Sequence, residues 1–256
     1  MYSILEHYLS TNHILMIGMI VTFILTFFLL EHPFSFLPSD QGRAFAVNGS
    51  LSKGKLRGVG FIFVLCFLIS SVLFLPIDVE YVIYAILLFA MMISGYLDDA
   101  SKTPWNEYKK GLIDLVISVV AVLTYMNFNS TTICFGADEI VIPKALFMIL
   151  GVILIWVSVN VTNCTDGVDG LCASLCSVTL LAFGVLFAPI LQKYAMANFL
   201  FLSVLFAYLY FNSSPSSMLM GDAGSRALGF YIAVIALKST HPFIYILLAA
   251  VMIVDG

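Results

Sequence analysis

The chain of 256 residues is 61% hydrophobic and only 10% charged, with a mean hydropathy of +1.05 and a formal net charge of −4. A soluble domain carries about 25% charged residues, so composition excludes an ordinary soluble fold and predicts an integral membrane protein. The five cysteines form no C-x-x-C pair and the four histidines are scattered, which argues against a disulfide framework or a zinc site; nucleic acid is not an expected partner.

The N-terminus has no positive stretch ahead of its first apolar run and no small-residue cleavage site follows, so no cleavable signal peptide is expected. A membrane-crossing helix needs about 20 mainly apolar residues. Runs of that kind predict nine spans, at roughly 13–31, 59–77, 79–97, 111–128, 143–160, 169–189, 194–212, 223–239 and 241–256. Lipid cannot satisfy backbone polar groups, so the expected fold is an all-α polytopic transmembrane helical bundle. The β-branched segment TTICFGADEIVIP, near 131–142, predicts a short hairpin between spans four and five. Few polar residues fall inside the spans: Asp114 lies near the start of span four, Asp255 ends the chain, and no central ion pair is expected.

Loops after spans one, three, five and seven must share one face. They carry Arg43, Lys53, Lys55, Arg57, Lys102, Lys109 and Lys110, with Arg226 just inside span eight, against Lys144, Lys193 and Lys238 on the other face. The positive-inside rule puts the basic face in the cytoplasm and the N-terminus outside. Every unusual polar cluster lies on that same face. A transport path would instead place polar residues near the midplane.

Four clusters carry candidate chemistry. SKGKLRGVG, from Ser52 to Gly60, interleaves bases with glycine; Lys53 and Arg57 suit a diphosphate cradle or simple headgroup contact. DDASK places Asp98 and Asp99 at a helix C-terminus, where negative charge opposes the macrodipole. Paired carboxylates can hold a metal or one proton, and one could serve as a general base. In NVTNCTDGVDGL, Asn160, Asn163, Asp166 and Asp169 recur every third residue, a spacing that keeps them on a broad common face. Gly167 and Gly170 argue for a break, and an N-cap for span six at Asp166 or Asp169 is the plainer alternative. MGDAGSRALGF puts Asp222 at the start of span eight, where it could bind a ligand or cap the helix, and its glycines suit close backbone approach to a ligand or another helix. Carboxylates, bases and amides without a nucleophilic His or Cys suit phosphoryl transfer with Mg²⁺, which is largely positioning and charge neutralisation.

GYLDDASK, NVTNCTDGVDGL and MGDAGSRALGF resemble, in order, the signature segments of the polyprenyl-phosphate N-acetylhexosamine-1-phosphate transferases. NCTDGVDGL is most similar to the NLTDGLDGLA of the branch that uses UDP-MurNAc-pentapeptide, whereas the GlcNAc branch usually has a bulky apolar residue where Thr165 stands. The resemblance implies that undecaprenyl phosphate attacks the β-phosphate of UDP-MurNAc-pentapeptide at the bacterial inner membrane, giving lipid I and UMP for peptidoglycan synthesis. Carried over by motif, Asp222 and Asp166 would hold Mg²⁺, and Asp98, Asp99 and Asp166 would form the catalytic set, with Asp98 or Asp99 as base. Asn160, Asn163 and Asp169 would line the nucleotide-sugar site, while Lys102 and Lys109 or Lys110 would meet phosphates. A homodimer is a family-level expectation. The rivals are a UDP-GlcNAc:undecaprenyl-phosphate transferase and, from another class, a transporter or an inactive lipid-binding relative. The first basic segment reads KGKLRGVG rather than KxGTPTMGG, and Ser225 and Arg226 fit the third motif only approximately. The family also has a tenth span after a His-rich loop. A single domain over 1–256, cut short at its C-terminus, is therefore expected.

Overall fold

A computed structural model describes residues 1–32, 34–40, 42, 52–101, 103, 105–136 and 138–255. Its helices are α1 (Tyr2–Leu5), α2 (Thr11–Glu31), α3 (Gly60–Phe74), α4 (Val79–Asp99), α5 (Glu107–Phe128), α6 (Lys144–Thr165), α7 (Leu171–Leu186), α8 (Ala188–Leu191), α9 (Lys193–Asn212), α10 (Gly221–Lys238), α11 (Pro242–Leu248) and α12 (Ala250–Asp255). Their starts follow local chemistry. Ser10, Asp78 and Asn106 accept from the backbone N–H groups of His13, Tyr81 and Tyr108, satisfying donors that the first turn leaves orphaned.

Each apolar run of the sequence is helical, but the runs are not equivalent. Helices α2, α4, α5, α6 and α9 are long and apolar enough to cross a membrane. Helices α3 and α7 have 15 and 16 residues, roughly 22–24 Å at 1.5 Å per residue, short of a core about 30 Å thick. The final run is not one helix: it breaks at Ala249 into α11 and α12. Helix α2 turns Met16, Ile17, Ile20, Phe23, Ile24 and Phe28 outward, the apolar exterior that a bilayer requires.

Helix α10 is the hub. Seventeen of its 18 residues are buried, so it meets protein on every side, and it packs on α3, α4 and α6. Glycines make this possible. A Cβ at Gly60 would fall 2.1 Å from the Gly224 nitrogen, one at Gly95 would fall 2.3 Å from the Asp222 carbonyl oxygen, and one at Gly229 would fall 2.6 Å from that of Ser158. Of the two readings of the MGDAGSRALGF glycines, Gly224 and Gly229 serve helix packing.

The polar groups sort to the two ends of the bundle. At one end lies the expected hairpin, with β1 (Thr132–Phe135) antiparallel to β2 (Asp138–Val141) and Thr132 opposite Val141. It docks through Cys134 N–H to the Thr240 carbonyl, 2.8 Å. Nearby, Lys238 binds both Glu80 oxygens at 3.0 Å and Asn129 at 2.7 Å, and Lys193 pairs with Asp78. The other end gathers the C-termini of α4, α6 and α9 and the N-termini of α5 and α10. An ion pair joins two of the helices towards this same end: Arg226, six residues into α10, bonds Asp114, eight residues into α5, at 2.5 Å, both side chains 2% exposed. Three of the α10 residues are charged, and each finds its partner on a neighbouring helix, which is what lets it sit inside an apolar bundle.

Candidate functional site

The loop from Lys55 to Gly60 is held on both sides by backbone hydrogen bonds. Asp40 N–H donates to the Lys55 carbonyl and Arg57 N–H to that of Pro38, while Leu219 N–H donates to that of Leu56, each at 2.8 Å. Gly60 N–H then reaches the Met220 carbonyl at 3.0 Å. This ribbon carries the Arg57 side chain to the meeting point of α4 and α10.

There Asp98, Asp99 and Asp222 converge. Arg57 donates from Nε to Asp99 at 2.8 Å and from Nη2 to Asp222 at 3.3 Å, with Nη1 3.5 Å from Asp40. Lys110, one turn into α5, bonds Asp98 at 2.7 Å and Asp222 at 3.2 Å. Burial works against the charge of the Arg57 guanidinium, but Asp99, Asp222 and Asp40 outweigh it and hold its pKa above the ordinary arginine value. Four carboxylates face two cations, so the cluster keeps two formal negative charges.

The two adjacent aspartates differ. Asp99 has a fully buried carboxylate that accepts from Arg57 and from the backbone N–H groups of Asp222 and Ala223 at 3.1 and 3.0 Å. It therefore caps α10 from the end of α4, so two helix ends satisfy each other. That corrects the N-cap alternative for Asp222, which lies inside the first turn of α10 behind Met220. The conformation requires glycine at Gly221, where φ is +67° and a Cβ would meet the Asp99 carboxylate oxygen at 2.4 Å. Asp98 accepts instead from Trp105 N–H at 2.7 Å and from the flexible Lys110.

The repeat from Asn160 to Asp169 is not one gripping face. Helix α6 ends at Thr165 with Asp166 as its C-cap, and Gly170, at φ +78°, is the N-cap of α7. Neither aspartate caps α7. Asn160 turns back to the Trp156 carbonyl of its own helix at 2.7 Å. Asn163 donates to Ser225 at 2.9 Å and faces Asp222, so it belongs to the cluster. Asp166 is half-buried at the helix end. Asp169 accepts from Ser216 N–H and Oγ at 2.9 and 2.7 Å, and Lys55 reaches both Ser216, at 2.8 Å, and Asp169, at 3.8 Å. Of the neighbouring lysines, Lys110 enters the cluster while Lys109 is exposed over the Trp105 ring, 3.2 Å from its centroid. Lys53 is exposed, and Lys102 lies outside the described residues.

The sequence reading passed over Asp40, Lys55 and Ser216. Asp40 bonds Ser52 at 2.5 Å and faces Arg57; only its place in a Pro-Ser-Asp-Gln-Gly loop could have marked it. Lys55 was countable as a basic loop residue, but its pairing with a loop 161 residues away was not.

Hard carboxylate oxygens suit magnesium, which needs one or two carboxylates plus substrate phosphates. Among the described residues no group of three or more His, Cys, Asp or Glu is arranged as a metal cage. Asp222 is held by the side chains of Arg57 and Lys110, Asp98 by Lys110 and one backbone N–H, and Asp99 by two backbone N–H groups as well as Arg57.

Residues 81–240, a stretch that contains Asp98, Asp99, Lys110, Asn163 and Asp222, match the sequence profile of glycosyl transferase family 4. The chain is 35% identical over 262 residues to the phospho-N-acetylmuramoyl-pentapeptide-transferase of Treponema pallidum strain Nichols, covering 94% of this chain and 72% of the relative. Proteins of the same name from Halalkalibacterium halodurans and Dictyoglomus turgidum are 28% and 25% identical, with 95% of this chain covered in each case and 81% and 80% of the relatives. With the profile spanning more than half of its length and relatives aligned along nearly all of it, the chain belongs to glycosyl transferase family 4.

Proposed function

We propose that this polytopic membrane transferase moves phospho-MurNAc-pentapeptide from UDP-MurNAc-pentapeptide to undecaprenyl phosphate. A phosphate oxygen of the lipid forms a bond to the β-phosphorus, the α–β bridging P–O bond breaks, and UMP leaves with the bridging oxygen. The observation that carries this reading is the convergence of Asp98, Asp99 and Asp222 with Arg57 and Lys110 at the end of the bundle where the basic loops gather. The relatives' name supports the transferred phospho-sugar.

In this reading the cluster faces the bacterial cytoplasm and the N-terminus lies outside, as the loop charges favour. Asp222, with Asp98 beside it, would hold Mg²⁺, which when bound would neutralise phosphate charge. Asp98 orients the lipid phosphate and holds its proton, because Asp99 is occupied by two backbone N–H groups and Arg57. Lys110 meets phosphate oxygen, and Asn163 steadies Asp222. Asp169, Ser216 and Lys55 form a polar wall for the nucleotide sugar.

The test is UMP release by the purified full-length protein with undecaprenyl phosphate and Mg²⁺. Turnover with UDP-MurNAc-pentapeptide, absent with UDP-GlcNAc, is expected, and Asp98→Asn and Asp222→Asn should each lower it by orders of magnitude. Turnover with UDP-GlcNAc alone would reassign the sugar, and full activity in both variants would end the proposal.

A further inference from the structure

The Arg57 side chain makes three contacts of unequal strength. Its Nε bond to Asp99 is short, 2.8 Å, while its contacts with Asp222 and Asp40 are 3.3 and 3.5 Å. Its backbone is pinned on both sides, by Pro38 through Arg57 N–H and by Leu219 through the neighbouring Leu56 carbonyl, yet its side chain is 30% exposed. The carboxylates it touches also differ in what else they hold. Asp99 keeps two backbone N–H donors and Asp40 keeps Ser52 and the Gly42 N–H. Asp222 is shared between two cationic side chains, Arg57 on Oδ1 and Lys110 on Oδ2, with Asp98 and Asn163 also bonding it.

A cation bound at Asp222 Oδ1 and the Arg57 Nη2 group need the same oxygen. Two positive centres cannot share it closely without strong repulsion. We propose that Arg57 is a tethered counter-ion of the metal subsite: it holds Asp222 Oδ1 until a divalent cation takes that oxygen, and then swings about its Nε bond to Asp99 towards substrate phosphate. The inference rests on the Mg²⁺-dependent reading above. Its physical content is that the chain carries its own competitor for the metal. Without Arg57, Lys110 alone would face the four carboxylates; Arg57 lowers that excess negative charge, at the cost of weaker cation binding. A divalent cation also matches the two negative charges that Arg57 and Lys110 leave over.

The experiment is Mg²⁺ binding by the purified full chain without nucleotide, measured by calorimetry, for wild type, Arg57→Gln and Arg57→Lys, with melting curves to establish folding. Arg57→Gln should bind Mg²⁺ about tenfold more tightly, equal to ~1.4 kcal/mol, and Arg57→Lys should lie between the two. A folded Arg57→Gln with affinity equal to or below wild type overturns the inference while leaving the Mg²⁺ reading intact. Saturable Mg²⁺ binding in neither protein overturns the inference, and its absence with UMP added as well overturns the Mg²⁺ reading too. If Arg57→Gln does not fold, phenylglyoxal labelling of wild-type Arg57, mapped by mass spectrometry, decides: faster labelling with Mg²⁺ is expected, and an unchanged rate refutes the swing.

Discussion

The Asp114–Arg226 pair offers a sharp test of how this bundle is held together. The bond is 2.5 Å long with both side chains 2% exposed, and among the described residues the Arg226 Nε and Nη1 have no hydrogen-bond partner. Asp114 is thus the one polar contact of a guanidinium that has left water almost completely. Removing one member of a buried pair strands the other charge and costs about 3–5 kcal/mol, whereas replacing both with apolar groups is often neutral or stabilising by about 1–4 kcal/mol. The unpartnered guanidinium nitrogens, each costing roughly 1–3 kcal/mol, push this case towards the stabilising side. Asp114→Leu and Arg226→Leu should each be severely destabilised, and the double variant should match or exceed wild type. Equilibrium unfolding in detergent, run as a double-mutant cycle, reads the coupling directly. Single losses below about 1 kcal/mol that simply add in the double variant would refute the argument. The double variant also keeps the rung one turn away, where Lys110 binds Asp222, so it should retain UMP release.

Gly95→Ala should separate α4 from α10 by overpacking, since the new Cβ meets backbone rather than a side chain; a loss of about 1–3 kcal/mol or more is expected. Gly167→Ala, with only the Cys164 carbonyl oxygen nearby at 3.8 Å, should stay within about 0.5 kcal/mol in the same melts. Lys110→Ala should cut kcat/KM by roughly 10- to 100-fold, the scale of a charge-assisted contact worth about 1.5–3 kcal/mol, whereas Lys109→Ala should change it by only a few-fold; equal losses would mean the wrong lysine faces the cluster. At the opposite end, burial raises the Asp78 carboxyl, but Lys193, the Tyr81 N–H and Lys238 outweigh it and hold its pKa below the usual value. A depressed folded pKa means its contribution is complete above an unfolded value of about 3.9 and disappears as pH falls through the folded one. Asp78→Asn should therefore lower the melting temperature at neutral pH and converge with wild type in acid; a gap that persists unchanged in acid would contradict this.

Local signals explain what could be read without coordinates. Apolar runs locate the helices, β-branched residues flanking Gly136 locate the hairpin, and the DDASK and MGDAGSRALGF motifs place Asp98, Asp99 and Asp222 at one end. Partnerships across the chain were not readable. Asp99 caps a helix that begins 122 residues later, and no periodicity encodes that. Asp114 looks like a stray polar residue until Arg226 is seen beside it. Spacing by threes misled at Asn160, because a short amide near a helix end can bond a carbonyl four residues back. Adjacent Lys109 and Lys110 are separated by about 100° around α5, so only one can face the bundle, and sequence does not say which.

The complete burial of α10 bears on how the protein is made. A helix with Arg226 six residues in and Asp222 and Lys238 at its ends inserts less readily by itself, since a charge costs up to about 2.5–3.5 kcal/mol at mid-span on insertion scales. Its charge partners, however, are Asp114, Lys110, Arg57 and Glu80, and its main packing partners are α3, α4 and α6. All precede it in the chain. By the time α10 emerges from the ribosome, the helices that neutralise and enclose it have already been synthesised, so the order of synthesis supplies the environment that its own sequence lacks.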